Sequence, residues 1–170
     1  PSPFWAYPWA GGIALARVLL DRTVDVRGAR VLDFGAGGGI ASLAAAKAGA
    51  AHVLANDVDP WAAATTALPA ERQSLCVETQ TADCTRLPQL ADDFDFVLAG
   101  DLAYEKQAAP AQRALLERAH ARGTAVLIAD AGRTYFDETG LDELAAFTIS
   151  VPKDLEGVPE RRARVFRVNG

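Results

Sequence analysis

The chain reads as α/β: a Rossmann-like, seven-stranded, mostly parallel sheet with helices on both faces and an antiparallel strand at its C-terminal end. Three observations carry this. Short apolar runs alternate with longer stretches of helical spacing, the pattern of a sheet built from strand–helix units. The first run ends in an acid and a glycine cluster, VLDFGAGGGIASL from Val31 to Leu43, at the kind of strand-to-helix turn where such sheets bind ligands. The last two runs are joined by a loop too short for a helical crossover, so they must pair antiparallel.

Taken in order, an aromatic opening with Trp5, Tyr7 and Trp9 precedes a helix over 12–21, where Ile13, Ala16, Leu19 and Leu20 recur at helical spacing. The Arg27-Gly28 turn leads to a buried strand over 30–34. A small-residue helix over 40–48 is closed by Gly49. A strand over 53–56 feeds a helix opened by Asp59-Pro60, a capping acid followed by proline in the first turn. Leu68-Pro69 is expected to end that helix early, because proline lacks the N–H and crowds the preceding turn. A strand near 76–79 precedes a polar loop. Then come a buried strand over 94–99, a helix over 107–121, a strand over 125–129 and a short helix over 140–146. The closing strands, 147–151 and 162–168, flank PKDLEGVPE, in which no helix is expected. With no internal repeat and no linker, residues 1–170 are read as one domain.

Composition narrows the function. Half of the 170 residues are apolar and 23% are charged, a balance that suits a soluble globular chain. No apolar run reaches the roughly 18 residues of a membrane helix. The net charge is −5 and no basic stripe occurs, so a cationic protein surface suits the chain better than nucleic acid. Cys76 and Cys84 have no metal-ligand spacing and read as reduced thiols. His52 and His120 read as structural. The chain opens on Pro1, so the natural start is expected upstream. Its Ala/Arg-heavy wording points to a high-GC bacterial source; the expected location is the cytoplasm for a bacterial chain and the mitochondrial matrix for a eukaryotic one.

The glycines then decide the ligand class. A dinucleotide fingerprint needs G-x-G-x-x-G, and Ile40 stands where the third glycine belongs. No Gly-Lys-Ser/Thr follows, which excludes the phosphate-binding loop. What remains is an acid at a strand tip, Asp33, followed by Gly35, Gly37 and Gly39, with a second acid, Asp57, ending the next strand beside Val58. Small residues admit a ligand close to the backbone. Asp57 can accept both hydroxyls of a ribose. Asp33 suits an ammonium or sulfonium rather than a phosphate. Ribose, amine and positive sulfur together describe S-adenosylmethionine. Asp83, after the third strand, would lie by the adenine, the alternative being a plain loop acid. Trp61 either covers the adenine or packs in the core.

The fourth strand runs into Gly100-Asp101-Leu102-Ala103-Tyr104, a D-x-x-Y that resembles the seven-strand protein-lysine methyltransferases. Five blocks in order, FWAYPWAGGIALARVLLD, VLDFGAGGG, LANDVDP, LAGDLAYE and LIADAGR, resemble the electron-transfer flavoprotein β-subunit lysine methyltransferases from about Pro3 to Gly132. The resemblance implies a class I fold and methylation of lysines on that β-subunit; a monomer is expected. It implies that Asp33, Gly35, Gly37, Asp57, Val58, Asp83 and Gly100 hold the cofactor, with Trp5, Trp9 and Gly11 closing over its methionine end. Asp101 and Tyr104 would face the lysine, and Asp130, Gly132 and Arg133 would shape the acceptor side. Alternatively, the N-terminal aromatics form a lid on the core and Asp101 caps the next helix. The arginine loop reads Asp-Ala-Gly-Arg where the family often has proline second, which is expected to loosen the turn. The rival functions are a methyltransferase of this fold with another acceptor, and a silent cofactor-binding partner protein.

Overall fold

A computed structural model describes residues 3–169. Seven strands form one sheet: β1 (Arg30–Phe34), β2 (His52–Asp57), β3 (Glu78–Thr81), β4 (Phe96–Gly100), β5 (Ala125–Asp130), β6 (Leu141–Ser150) and β7 (Glu160–Val168). Their spatial order is β3-β2-β1-β4-β5-β7-β6. Pairs among the first five strands are parallel, and β7 runs antiparallel to both β5 and β6. The helices are α1 (Ala10–Leu20), α2 (Ile40–Lys47), α3 (Pro60–Arg72), α4 (Ala109–Ala121) and the four-residue α5 (Lys153–Glu156). None of these described helices is long and apolar enough to cross a membrane.

The central strands β1, β2, β4 and β5 are largely apolar because both faces of the sheet are covered there, whereas the edge strand β3 is polar and β6 and β7 mix polar with apolar residues. Leu98 and Leu127 pack with Leu15, Val18 and Leu19 of α1. The alternate residues Val97, Val126 and Ile128 pack with Leu115 and Leu116 of α4. This two-residue alternation also aims the strand tips. Asp33, Asp57, Asp101 and Asp130 all stand at or just beyond the carboxyl ends of parallel strands.

Three expectations fail. The helix expected over 140–146 is the first half of β6, which pairs along β7 from Leu141↔Val168 to Ser150↔Glu160 with an irregularity between Glu143 and Ala145. Leu-Asp-Glu-Leu-Ala-Ala favours helix locally, but a complete ladder with the neighbouring strand overrides propensity. The 152–160 loop contains α5, a single turn closed by Gly157 at φ 74°. Pro69 does not end its helix: α3 continues to Arg72, because a proline this late forfeits one backbone bond while the last turn closes through Gln73 N–H onto the Pro69 and Ala70 carbonyls. The first helix also begins at Ala10, earlier than its spacing suggests, which takes Gly11 and Gly12 into α1.

Candidate active site

The floor of the site is the turn from β1 to α2. Gly35, Gly37 and Gly39 have φ of 71°, 53° and 74°, a left-handed run that side chains resist. At Gly35 a Cβ would stand 2.3 Å from Leu102 Cδ2, and at Gly39 2.4 Å from Thr66. The β2 tip holds the loop from beside: the Gly35 and Ala36 N–H groups both donate to the Asn56 carbonyl at 2.9 Å. Asp57 Oδ2 accepts from Gly37 N–H at 2.8 Å, and its Oδ1 accepts from Asp59 N–H at 2.9 Å. Each of those oxygens keeps a lone pair for an incoming hydroxyl. Asp33 is buried beneath, with Ser42 Oγ donating to Oδ2 at 2.5 Å. Burial pushes its carboxyl up to about 6; the Ser42 contacts oppose this and the nearby Asp57 charge adds to it.

A cavity of about 240 Å³ lies above this floor. Trp5, Trp9, Asp33, Gly35, Gly37 and Gly100 line it, as do Tyr7 and Gly12. The N-terminal aromatics form one wall. Trp9 Nε1 donates to the Phe4 carbonyl at 2.8 Å, Tyr7 meets Trp9 edge-on at 4.9 Å, and Phe4 lies 5.9 Å from the Tyr104 ring. Trp5 stacks on Trp61 at 6.3 Å across the glycine loop. Trp61 is 65% exposed, so it is not a core aromatic. Val58, 67% exposed, stands on the same turn. Tyr104 is half-exposed; burial first, then the charges of Glu105 and Asp57, raise its phenol pKa, so it stays protonated.

Asp101 departs from expectation. It is 5% exposed, sits at φ 52°, and its own N–H donates to the Ala129 carbonyl at 2.8 Å. Its Oδ2 accepts from Gly11 N–H at 2.5 Å, and Oδ1 accepts from Ala131 N–H at 3.1 Å and Arg133 Nε at 2.9 Å. It neither caps the following helix nor presents a free carboxylate to a lysine. Instead it ties the start of α1 to the loop after β5. Gly11 is correspondingly buried against Asp101 and does not line the cavity; Gly12 does.

Arg133 connects this knot to the C-terminal hairpin. Its two terminal nitrogens donate to the Glu156 carboxylate at 3.2 Å each, and its guanidinium lies 5.1 Å over the Trp9 ring. Arg161 Nε donates to the same Glu156 at 3.1 Å. Burial pulls the Arg133 pKa down, but the Asp101 and Glu156 carboxylates outweigh it and hold it raised. The loop beneath is not loosened by Ala131. Asp130 Oδ1 accepts from Gly132 N–H at 2.6 Å and Arg133 N–H at 2.9 Å and so fixes the turn without proline.

Asp83, like Gly11, stands outside the lining of the cavity. Its Oδ1 accepts from Thr85 N–H and Oγ1, its Oδ2 meets Arg86 at 3.1 Å, and it does not line the cavity. It is a loop acid that caps its own turn. Ser42, Glu156 and Arg161 were not legible as site residues. Glu156 lies far along the chain in a loop with no motif, and only strand pairing brings it back to Arg133.

The methyltransferase-domain profile matches residues 31–123, from β1 through α4. The electron transfer flavoprotein beta subunit lysine methyltransferase of Danio rerio is 35% identical over 99% of this chain and 67% of its own length. Its namesakes in Rattus norvegicus and Homo sapiens are 38% and 39% identical over 89% and 79% of this chain. The chain spans 61% and 52% of the length of those two. Among solved structures, magnesium protoporphyrin IX methyltransferase from Synechocystis, with S-adenosylhomocysteine bound, superposes with TM-score 0.66 at 18% identity, covering 94% of this chain and 83% of its own. Precorrin 8W decarboxylase from Methanobacterium thermoautotrophicum gives 0.65 at 16% identity, covering 96% and 92%. At those identities the superpositions speak for the fold alone, whereas the sequence relatives match at 35–39% identity over most of this chain. With this strand order, glycine floor and aromatic wall, the chain belongs to the electron transfer flavoprotein beta subunit lysine methyltransferase family.

Proposed function

We propose that the chain is an S-adenosylmethionine-dependent protein-lysine N-methyltransferase whose substrate is the β-subunit of electron transfer flavoprotein. The observation that carries the cofactor is the cradle itself: three left-handed glycines roofed by Trp5, with Asp57 hydrogen-bonded to Gly37 and holding lone pairs in reserve. The acceptor reading is supported by the family names and by the Tyr104 phenol beside the Phe4 ring, which in turn meets Trp9.

When bound, S-adenosylmethionine supplies an electrophilic methyl on a sulfonium, which a lysine nitrogen takes up in line. The chain's own task is alignment and exclusion of water. Asp57 receives the ribose hydroxyls. Asp33 places negative charge under the cationic end. Trp5, Tyr7 and Trp9 close the cavity on one side. Tyr104, as a neutral phenol, lines the approach of the lysine stem. A free lysine has a pKa near 10.4, so holding its neutral form about 3 Å from the methyl is the demanding part of the reaction. Asp101 acts as a positioning residue, since its carboxylate fixes α1, the loop after β5 and Arg133 relative to Gly100. The reaction would take place in the cytoplasm if the chain is bacterial and in the mitochondrial matrix if it is eukaryotic.

The test mixes the purified protein with recombinant electron transfer flavoprotein and S-adenosylmethionine and weighs the β-subunit by intact mass spectrometry. Steps of one methyl mass, suppressed in Asp101→Asn, are the expected result. An unchanged mass with cofactor binding intact by calorimetry would move the acceptor to another protein or a small molecule.

A further inference from the structure

On the face of the sheet opposite the cofactor cavity, a groove of about 480 Å³ opens between α4, β5 and the loops that follow β4 and β5. Its walls are mainly apolar: Leu102, Ala103, Ala109, Leu116, Ile128 and Phe136. At its floor is Asp130. The alternation of β5 settles the direction of that side chain, because Val126 and Ile128 pack toward α4 while Leu127 and Ala129 pack toward α1. Asp130 is 2% exposed, and its Oδ1 is committed to the Gly132 and Arg133 N–H groups. Its Oδ2 is buried and has no hydrogen-bond partner. A buried carboxylate oxygen with no donor is costly, and a cation brought to it relieves the cost.

The basic groups of the groove do not meet this need. Arg113 is spent on Glu117 and on the Asp137 and Thr139 carbonyls. Lys106 is on the exposed rim. The groove also shares a wall with the candidate active site, since Leu102 lines it and at the same time crowds Gly35 of the cofactor floor. The net charge of −5 favours a cationic partner.

We propose that this groove is a recognition subsite for a cationic, apolar-stemmed side chain of the protein substrate, of the lysine or arginine kind, with its stem against Leu102 and Phe136 and its head on Asp130. The residue it takes is a neighbour of the methylated lysine, not the acceptor itself. The proposal rests on the lysine-methyltransferase reading for its protein substrate, while the chemistry of the groove can be tested without one.

The first test titrates ¹⁵N-labelled protein with n-butylammonium, the lysine side chain in isolation, and follows the Leu102, Ala103 and Tyr135 amides. Saturable shifts are expected, weakened roughly tenfold or more with n-butanol or in Asp130→Asn, the loss typical of one charged hydrogen bond. Asparagine keeps the Oδ1 contacts of the turn and removes only the charge. Ala109→Phe, which fills the groove from α4 with Asp130 intact, should abolish the shifts as well. No saturable shift in the native protein, or equal shifts in both variants, would overturn the subsite. The second test is methylation of the flavoprotein β-subunit. Both variants should raise KM for that protein while leaving the Kd for S-adenosylmethionine unchanged, and an unchanged KM would also overturn the subsite. If the native protein methylates no lysine of that subunit, the functional reading falls, and the amine titration still decides the groove.

Discussion

Replacing Gly11 with alanine sets two effects against each other, and the structure says which wins. Gly11 lies in the first turn of α1 with no positive φ, so helix propensity alone favours alanine by about 1 kcal/mol. The new methyl, however, would stand 2.7 Å from Asp101 Oδ2 and 2.9 Å from the Ala129 carbonyl. Neither neighbour is a yielding side-chain end. One is a strand backbone atom, and the other is a buried carboxylate held by three donors. Overpacking of this kind costs roughly 1–3 kcal/mol, and disturbing a hydrogen bond to a charged group costs about 1.5–3 more. The net expectation is a loss of roughly 1.5–5 kcal/mol, or about 3–20 °C in melting temperature at 2–4 °C per kcal/mol for a chain of this size. Urea unfolding followed by far-ultraviolet circular dichroism measures it. Gly12→Ala is the control: its methyl meets only Ile40 Cγ2, so gain and cost should nearly cancel. A Gly11→Ala protein as stable as the native one would refute the tight closure of α1 on Asp101.

Asp57→Ala should weaken S-adenosylmethionine binding at least tenfold by calorimetry, because it removes the ribose acceptor and frees Gly37 N–H; unchanged affinity would end the ribose assignment. Asp101→Asn turns one carboxylate oxygen into a donor facing other donors. The methylation rate should therefore fall far more than cofactor affinity, and equal losses would contradict a positioning role. Glu156→Gln leaves Arg133 and Arg161 without their shared counter-charge in a buried setting, and chemical denaturation should show a loss of roughly 3–5 kcal/mol. The Asp33 carboxyl is raised from 3.8 to about 6 in the folded chain, so between those values the folded state holds the extra proton. Stability of the cofactor-free protein should therefore fall as pH rises through that window and level off above it. Asp33→Asn should remove about 3 kcal/mol of that slope, at 1.36 kcal/mol per pH unit. An identical slope in the variant would remove Asp33 as its source.

The legible parts of the fold were those fixed locally. Apolar runs bounded by glycine gave the five parallel strands to within a few residues. The G-x-G-x-G after Asp33 gave the cofactor turn, because left-handed backbone leaves its mark directly in the residue types. The parts decided by distant pairing were not legible. Leu141 to Ala146 reads as helix until β7 lies beside it. Asp101 was recognisable as important, yet its partners Gly11, Ala131 and Arg133 are gathered from three separate segments. Hence the sequence suggested a group that touches substrate where the fold shows a clamp. The local engagement of Asp83 by Thr85 and Arg86, two and three residues on, was not legible either.

The placement of tryptophan gives the molecule an optical property. The chain has three such residues: Trp5 and Trp9 line the cofactor cavity, Trp61 stacks on Trp5, and Trp9 lies under the Arg133 cation. Their emission is thus a signal from one small region and not an average over the protein. It should report cofactor arrival without a label. Under denaturant it follows the opening of the N-terminal aromatic segment, whereas dichroism follows the sheet. Two different midpoints from the two signals would measure how independently that segment detaches.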